Sequence, residues 1–550
     1  MEPVRDALTT VSRASMTTGS PVSGRPAAHA SDIPFLREDQ TTMTTTPAPS
    51  PPRPTALARA TLDALPAAVD RPRYDRAAVT ASIVHFGVGG FHRAHQAMYV
   101  DRLMEQGVPG ALEWGICGVG ALPQDRRIVD TLTAQDGLYT LVVKHPDGHR
   151  EPRVVGSIVE LVFAPDDPQA VVDRLAHPRT RIVSLTITEG GYLVNQVTGE
   201  FDAADPAIRA DLEEGAVPRT VFGYVVAGLA ARRDAGQEPF TVMSCDNLPG
   251  NGDVARTMMT AYARLKDPAL ADWMDEHVSF PNGMVDRITP VTVSEDIDRL
   301  VEEFGVEDGW PVVCEPFTQW VLEDHFTQGR PPLEEAGVQL VEDVVPYELM
   351  KLRLLNASHQ ALCYLGYLSG YRYAHEVCQD PLFVDFLLGY MEHEGSPTLP
   401  DVPGVDLDAY RHELITRFAN PEVRDTLARL CAESSDRIPK WLVPVIRRNL
   451  ETGGEIDRSA LVVASWARYA EGVDEQGEPI EVVDRVKDRV MAAAAQQGTD
   501  PLAFLRDRDL FGDLVDDQRF TSVFTRALSA LHTKGARETL QSWTGRSSTT

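Results

Sequence analysis

An α/β fold followed by a mainly α-helical second half is predicted by three observations. From Ile83 to about Pro290, apolar runs of strand length alternate with helical stretches, the pattern of a largely parallel sheet with right-handed crossovers. The first run leads directly into a glycine-rich turn, Gly87-Val88-Gly89-Gly90-Phe91, and then a helix. Beyond Pro290 the strand signals give way to helical periodicity up to about Trp543. The chain therefore divides into three parts. Residues 1–77 are a disordered N-terminal extension and lead-in, 78–290 a Rossmann-like dinucleotide-binding domain, and 291–545 a mainly helical substrate and catalytic domain.

The elements follow in order. Up to about residue 55 the chain is rich in Ser, Thr, Pro and Ala, too poor in apolar surface to offset the entropy of ordering it. Met43 lies within this stretch and is an alternative start. SIVHFGVGGFHRAHQAMYVDRLMEQG reads as strand, turn and amphipathic helix ending near Gly107; EWGICGVGAL is a second strand, followed by a helical DRRIVDTLTAQ. YTLVVKH and REPRVVGSIVELVFAP are strands, the first pair turning as a hairpin at Pro146-Asp147-Gly148. RIVSLTITEGGY is a buried strand ending in a glycine turn, TVFGYVVAGLAARRDAG a helix closed by Gly236, and FTVMSCDNLPGNG another strand. The helices of the second half begin with VSEDIDRLVEEFG, and GRSSTT is a frayed tail.

Composition bounds the function. A chain of 550 residues carries two or three domains, and its formal charge of −29, from 52 basic and 81 acidic residues, argues against nucleic acid or anionic membrane as partner. The six cysteines form no CxxC pair and no metal-like spacing, a reduced pattern. There is no run of 18 apolar residues and no signal-peptide pattern at the N-terminus, so a cytoplasmic protein is expected.

The glycine-rich turn stands where backbone amides can hold a pyrophosphate, although His92 occupies the position of the third glycine. Gly87, Gly89, Gly90 and Phe91 are candidate cofactor residues, with Arg93 as the anion partner. An acidic residue after the second strand should grip the ribose of NAD, and Asp125 is the candidate. Arg126 and Arg127 beside it could instead meet a 2′-phosphate, so NAD is preferred over NADP without being fixed. Polar clusters close three further strands: Thr188-Glu189-Gly190-Gly191, Ser244-Cys245-Asp246-Asn247 and Asn282-Gly283-Met284-Val285-Asp286-Arg287. Each alone is ordinary turn chemistry; their recurrence at strand ends points to a ligand.

The stretch PYELMKLRLLNASHQALCYLG, Pro346 to Gly366, is where the chemistry is placed. Pro346 suits a helix first turn, and leucines at 349, 352, 355 and 362 supply the apolar contacts. Lys351, Asn356 and His359 fall at roughly 0°, 140° and 80° around the axis, one broad face about 12 Å long. That face is either a solvated stripe or a site in which a cation leans across a ligand.

Together these motifs resemble the polyol-specific long-chain dehydrogenases, from about Ala78 to Trp543. GVGGFHRAHQAMYVD, TITEGGY, SCDNLPGNG, FPNGMVDRITP and the Lys351/Asn356/His359 helix carry the resemblance. It implies that Lys351 is the general acid–base and that Asn356, aided by Asn247, polarises the reacting oxygen. It further implies that His359 and Asp286 orient a polyol, and that Glu348 shuttles protons to water. Arg429 and the SSDRIPK turn are further substrate contacts, with Arg437 and Lys440 as alternatives because relatives often carry Lys where Arg437 aligns. Thr188 and Glu189 join the cofactor side. The activity implied is NAD-dependent, metal-independent interconversion of D-mannitol and D-fructose, by a chain that leans toward a monomer.

Several rivals stand beside this. Tyr347 and Lys351 form a Tyr-x3-Lys pair as in short-chain dehydrogenases, but no Ser lies between Ser294 and Ser358 to complete that triad. A zinc alcohol dehydrogenase needs clustered Cys and His ligands, which the sequence lacks. Within the family, a fructuronate or tagaturonate reductase would need a further cation, for which Arg429 and Arg437 are available. A non-catalytic sugar- or nucleotide-binding protein would be expected to lose Lys351.

Overall fold

The computed structural model describes residues 54–195 and 199–544. The low-complexity extension with its alternative start at Met43, and the GRSSTT tail, lie outside the described residues. The lead-in from 54 onward packs onto the fold. Thr55–Ala56 pairs in parallel with Val306–Glu307, and Leu57, Leu65 and Val69 are buried against Leu138, Val142, Val154 and Val313.

Five parallel strands form the main sheet. Their spatial order is Ile158–Phe163, Gly115–Gly120, Ala81–Phe86, Ile182–Leu185 and Thr241–Ser244. Numbered along the chain this is 3-2-1-4-5, the doubly wound order, with its reversal between Ala81–Phe86 and Ile182–Leu185. The central strand is buried along its whole length, which explains its unbroken apolar character. Helices such as Pro168–Ala176 and Val221–Asp234 cover the sheet. The carboxyl ends of the strands at the reversal open onto one cleft, the usual ligand position in such sheets.

The expected hairpin forms, with Tyr139–Lys144 antiparallel to Arg150–Val155 and Val312–Cys314 added in parallel. A third sheet pairs Gly283–Asp286 with Gln319–Glu323, which continues to Gln339–Val341. These strands correct the reading of residues 291–341 as helical. Only Ser294–Phe304 is a long helix there, and the helical half begins at Val345. The strands concerned run for 2 to 5 residues, too short to show an alternation.

The second half packs around Ala357–Leu368, a helix buried on nearly every side among Phe383, Phe386, Trp466 and Phe524. The turn that leads into it, Lys351–Asn356, keeps the polar residues at its two ends from solvent as well. Lys351 is 8% exposed and Asn356 5%, which excludes the solvated-stripe alternative.

Candidate active site

A cleft of about 1640 Å³ runs between the carboxyl edge of the main sheet and the helical half. On the sheet side Gly87 sits at φ +94°, and a Cβ on it would lie 2.1 Å from the Thr186 carbonyl oxygen, so only glycine makes this turn. Gly89 and Gly90 line the cleft with no atom near enough to obstruct a Cβ at Gly89, and Phe91 lies beside them. Backbone amides at a helix start, uncovered by side chains, fit a pyrophosphate group. His85 underpins the turn: its ring meets the Gly87 carbonyl at 3.1 Å and Thr186 Oγ1 at 2.9 Å, and burial drives its pKa down to about 3.

Arg93 corrects the sequence reading. It points inward, 1% exposed, donating to the carbonyls of Val88 and Trp310 and lying over the Tyr139 ring, so it does not reach the cleft. Proximity in sequence to the glycine turn suggested a phosphate contact; the helix direction sends the guanidinium into the core. Asp125 stands just past the second strand, its carboxylate accepting the Leu122 N–H at 2.9 Å. Arg126 is forked onto Asp166 and covers Phe163, while Arg127 lies over the Trp310 ring.

Thr188 has φ +64°, a strained value for a β-branched residue at a strand end. The Asp246 carboxylate holds it there by accepting the N–H groups of Ile187 and Thr188 at 3.0 and 2.8 Å and the Tyr192 hydroxyl at 2.8 Å. This anchors the loop that brings Thr188 and Glu189 to the cleft.

Opposite, Lys351 Nζ donates to Asn247 Oδ1 at 2.5 Å and to the Val285 carbonyl at 2.6 Å. An ammonium offers only donors, so Asn247 presents its oxygen to the lysine and keeps its NH₂ for another acceptor. Burial pushes the Lys351 pKa below the usual lysine value; Asp286 opposes that shift and Arg417 adds to it. Asn356 lines the same cleft, and its buried Nδ2 has no partner. Such an orphan donor costs about 1–3 kcal/mol unless a ligand oxygen meets it. Lys351 and Asn356 come together because Lys351–Asn356 is a π turn, with i→i+5 bonding, so residues five apart lie one above the other.

His359 stacks on Phe418 with centroids 4.5 Å apart, and burial lowers its pKa to about 3, leaving a neutral ring at the cleft wall. Burial would raise the Asp286 carboxyl, but Arg417, forked onto it at 2.8 and 2.9 Å, holds it below the usual range. The same guanidinium bonds Glu315 at 3.0 and 2.8 Å. Both oxygens of Glu348 accept the Gly250 N–H, at 3.0 and 3.2 Å, and burial raises its pKa to about 7. Glu348, Lys351, Asp246 and Asn247 share a small side cavity.

At the mouth, Arg429 is neutralised by Asp425 at 2.6 and 2.5 Å. Arg437 donates to the carbonyls of Arg429 and Leu430, and Lys440, one turn further, is exposed on the cleft rim. The structure thus brings together Lys351, Asn247, Asn356, His359, Asp286, Glu189 and the Gly89-Gly90 turn, with Arg429, Arg437 and Lys440 at the rim. Sequence reasoning missed the roles of Asp246, Arg417 and Glu315. Asp246 lay within a polar cluster already noted; Arg417 and Glu315 carried no local signal. Among the described residues, no group of three or more His, Cys, Asp or Glu is arranged to hold a metal ion, and no helix is long and apolar enough to cross a membrane.

Two family models match the chain, the mannitol dehydrogenase Rossmann domain over residues 81–335 and the mannitol dehydrogenase C-terminal domain over 343–532. A mannitol 2-dehydrogenase of Phaeosphaeria nodorum is 48% identical over 473 residues, 85% of this chain and 82% of that one. Another, of Neosartorya fischeri, is 47% identical over 481 residues, 86% of this chain and 95% of the relative. Among solved structures, the Pseudomonas fluorescens mannitol 2-dehydrogenase ternary complex with NAD and D-mannitol superposes with a TM-score of 0.80 at 46% identity, covering 90% of this chain and all (100%) of that one. A D-sorbitol dehydrogenase in substrate-free form gives 0.82 at 39% identity, over 88% of this chain and 100% of the other. On the matched domains and these identities, the chain belongs to the mannitol dehydrogenase family.

Proposed function

We propose that this protein is an NAD-dependent polyol dehydrogenase of the mannitol 2-dehydrogenase type, interconverting D-mannitol and D-fructose with Lys351 as general acid–base and without a metal. The observation that carries the reading is the Lys351 amine, buried between the Asn247 carboxamide and the Val285 carbonyl, beside the orphan amide of Asn356.

The Gly89-Gly90 turn, with Thr188 and Glu189 beside it, would hold the dinucleotide, with Asp125 as the ribose partner the sequence suggests; when bound, that group would supply the hydride acceptor. Everything else falls to side chains. Lys351 takes the hydroxyl proton in oxidation and returns one in reduction. A free lysine, at about 10.4, is too basic to serve near neutrality, and burial lowers it toward that range. Asn356 and the NH₂ of Asn247 donate to the oxygen as charge grows on it, each worth about 3–4 kcal/mol by analogy with other oxyanion donors. Asp286, kept ionised by Arg417, accepts from polyol hydroxyls, and neutral His359 gives or takes a hydrogen bond according to tautomer. Arg429, Arg437 and Lys440 border the far end of the substrate. Glu348 passes protons between Lys351 and solvent, for which a carboxyl titrating at about 7 suits.

NAD rather than NADP is favoured by Arg126 and Arg127, the two cations near the ribose position, being committed to Asp166 and Trp310. The fructuronate or tagaturonate alternative needs a cation for its carboxylate; Arg429 is paired with Asp425, which leaves Arg437, held only by carbonyls, to serve it, so the substrate decides between the two readings. The test is a panel of fructose, fructuronate and tagaturonate with NADH and then NADPH, before and after chelation. The proposal expects fructose with NADH to be fastest and chelation to leave turnover intact. A faster hexuronate, or loss of activity on chelation, would overturn the substrate or the metal-free part.

A further inference from the structure

The π turn that joins Lys351 to Asn356 needs support of its own. In it Ala357 N–H reaches the carbonyl of Leu352, five residues back. Where such a turn returns to the α ladder, one carbonyl drops out of the N–H series and must find another donor. Tyr390 Oη donates to the Arg353 carbonyl, in the middle of the turn, at 2.9 Å, and Tyr390 is completely buried (0% exposed). The same segment takes hold of the other end of that residue, since the Arg353 guanidinium donates to the Thr398 carbonyl.

Tyr390 closes the helix Pro381–Tyr390 and leads into a second π turn, Met391–Gly395. The two turns pack face to face. A Cβ on Gly395 would lie 2.8 Å from Leu354 Cδ2 and 3.3 Å from the Arg353 carbonyl oxygen. In the second turn too a buried side chain meets a backbone carbonyl: Asn449 Nδ2 donates to that of Glu394 at 2.9 Å. Neither Tyr390 nor Gly395 lines the cleft.

We propose that Tyr390 is a positioning residue: its hydroxyl, by holding the Arg353 carbonyl, keeps Lys351–Asn356 in π register and so keeps the amine and the carboxamide on one substrate oxygen. Released to α register, the two would sit about 140° apart around the axis. The proposal rests on the acid–base reading of Lys351.

The experiment is Tyr390→Phe, which removes only the hydroxyl. A misplacement of about 1 Å at a reacting pair costs up to about 100-fold. The expected result is therefore a fall in kcat for D-mannitol of about 10–100-fold with NADH binding changed less than about twofold. The ascending limb of the pH profile should move up toward the ordinary lysine range, as Lys351 loses its enclosed seat. Amide hydrogen exchange should quicken across 352–358 and stay unchanged across Asp457–Tyr469. Turnover within twofold of wild type, an unmoved pH profile, or unchanged exchange in the turn would each overturn the proposal. If Tyr390→Phe does not fold, Gly395→Ala presses on the same turn with the hydroxyl in place, and the same readings decide. Should Lys351→Ala retain turnover, the acid–base reading fails, yet exchange in Tyr390→Phe still reports whether the hydroxyl holds the turn.

Discussion

Replacing Asn356 by leucine separates activity from stability in opposite directions. The side chains are similar in size, and the substitution removes a buried Nδ2 that has no partner in the protein. Leaving such a donor unsatisfied costs about 1–3 kcal/mol, so its removal should stabilise the fold by about 1–2 kcal/mol after some allowance for imperfect packing. At about 2.1 cal/mol/K per residue, a chain of this size has an unfolding entropy near 1 kcal/mol/K, and Tm should rise by about 1–2 °C. Turnover should move the other way. Loss of one donor to the developing oxyanion costs about 2.7–4 kcal/mol, a fall in kcat of about 10²–10³. Calorimetry and steady-state fructose reduction, followed through NADH absorbance, read both. A variant that loses stability and activity together would mean that Asn356 is a packing residue. One that keeps its turnover would remove the carboxamide from the reaction.

Further expectations follow from the buried charges. Glu348 titrates at about 7 against an ordinary 4.5, so its protonated form favours the fold. That contribution is complete below about pH 4.5 and is lost as pH rises through about 7, a swing of about 3 kcal/mol. Glu348→Gln should flatten the urea midpoint across this window, and an unchanged slope would refute the assignment. Arg417→Met strands Asp286 and Glu315 without their shared partner and should destabilise by about 3–5 kcal/mol in urea unfolding, with KM for mannitol raised. Adding Glu315→Gln should recover part of the stability, and no recovery would mean that the clamp is not electrostatic. Asp246→Ala, which frees the strained Thr188 loop, should weaken NADH binding by titration, whereas unchanged affinity would detach that loop from the cofactor.

The sheet and its glycine turn were legible because strands buried on both faces read as apolar runs and the turn follows the first of them directly. The short strands between Val306 and Val341 were not, since 2 to 5 residues cannot display a period. Lys351, Asn356 and His359 stood out as polar groups among the leucines of one helix, but neither their burial nor their mutual placement was readable. A period of 3.6 presumes the α ladder, and the π turn departs from it. Arg417 was invisible for another reason: its carboxylate partners lie 131 and 102 residues away in the chain. Arg93 was misread because sequence places it beside the turn while the helix aims it at the Trp310 carbonyl. Glu348 was named through the family resemblance alone, and its raised pKa depends on burial that only the folded chain supplies.

The central claim, that the Lys351 amine carries the proton, is tested most directly by the pH dependence of kcat/KM for mannitol oxidation in wild type and Lys351→Ala. The base must be neutral to accept the hydroxyl proton, so the wild-type rate should climb with pH along a limb lying below the ordinary lysine range. Lys351→Ala should lose about 10²–10⁴ in rate, lose that limb, and still bind NADH. A variant that kept both the limb and turnover within tenfold of wild type would contradict the account.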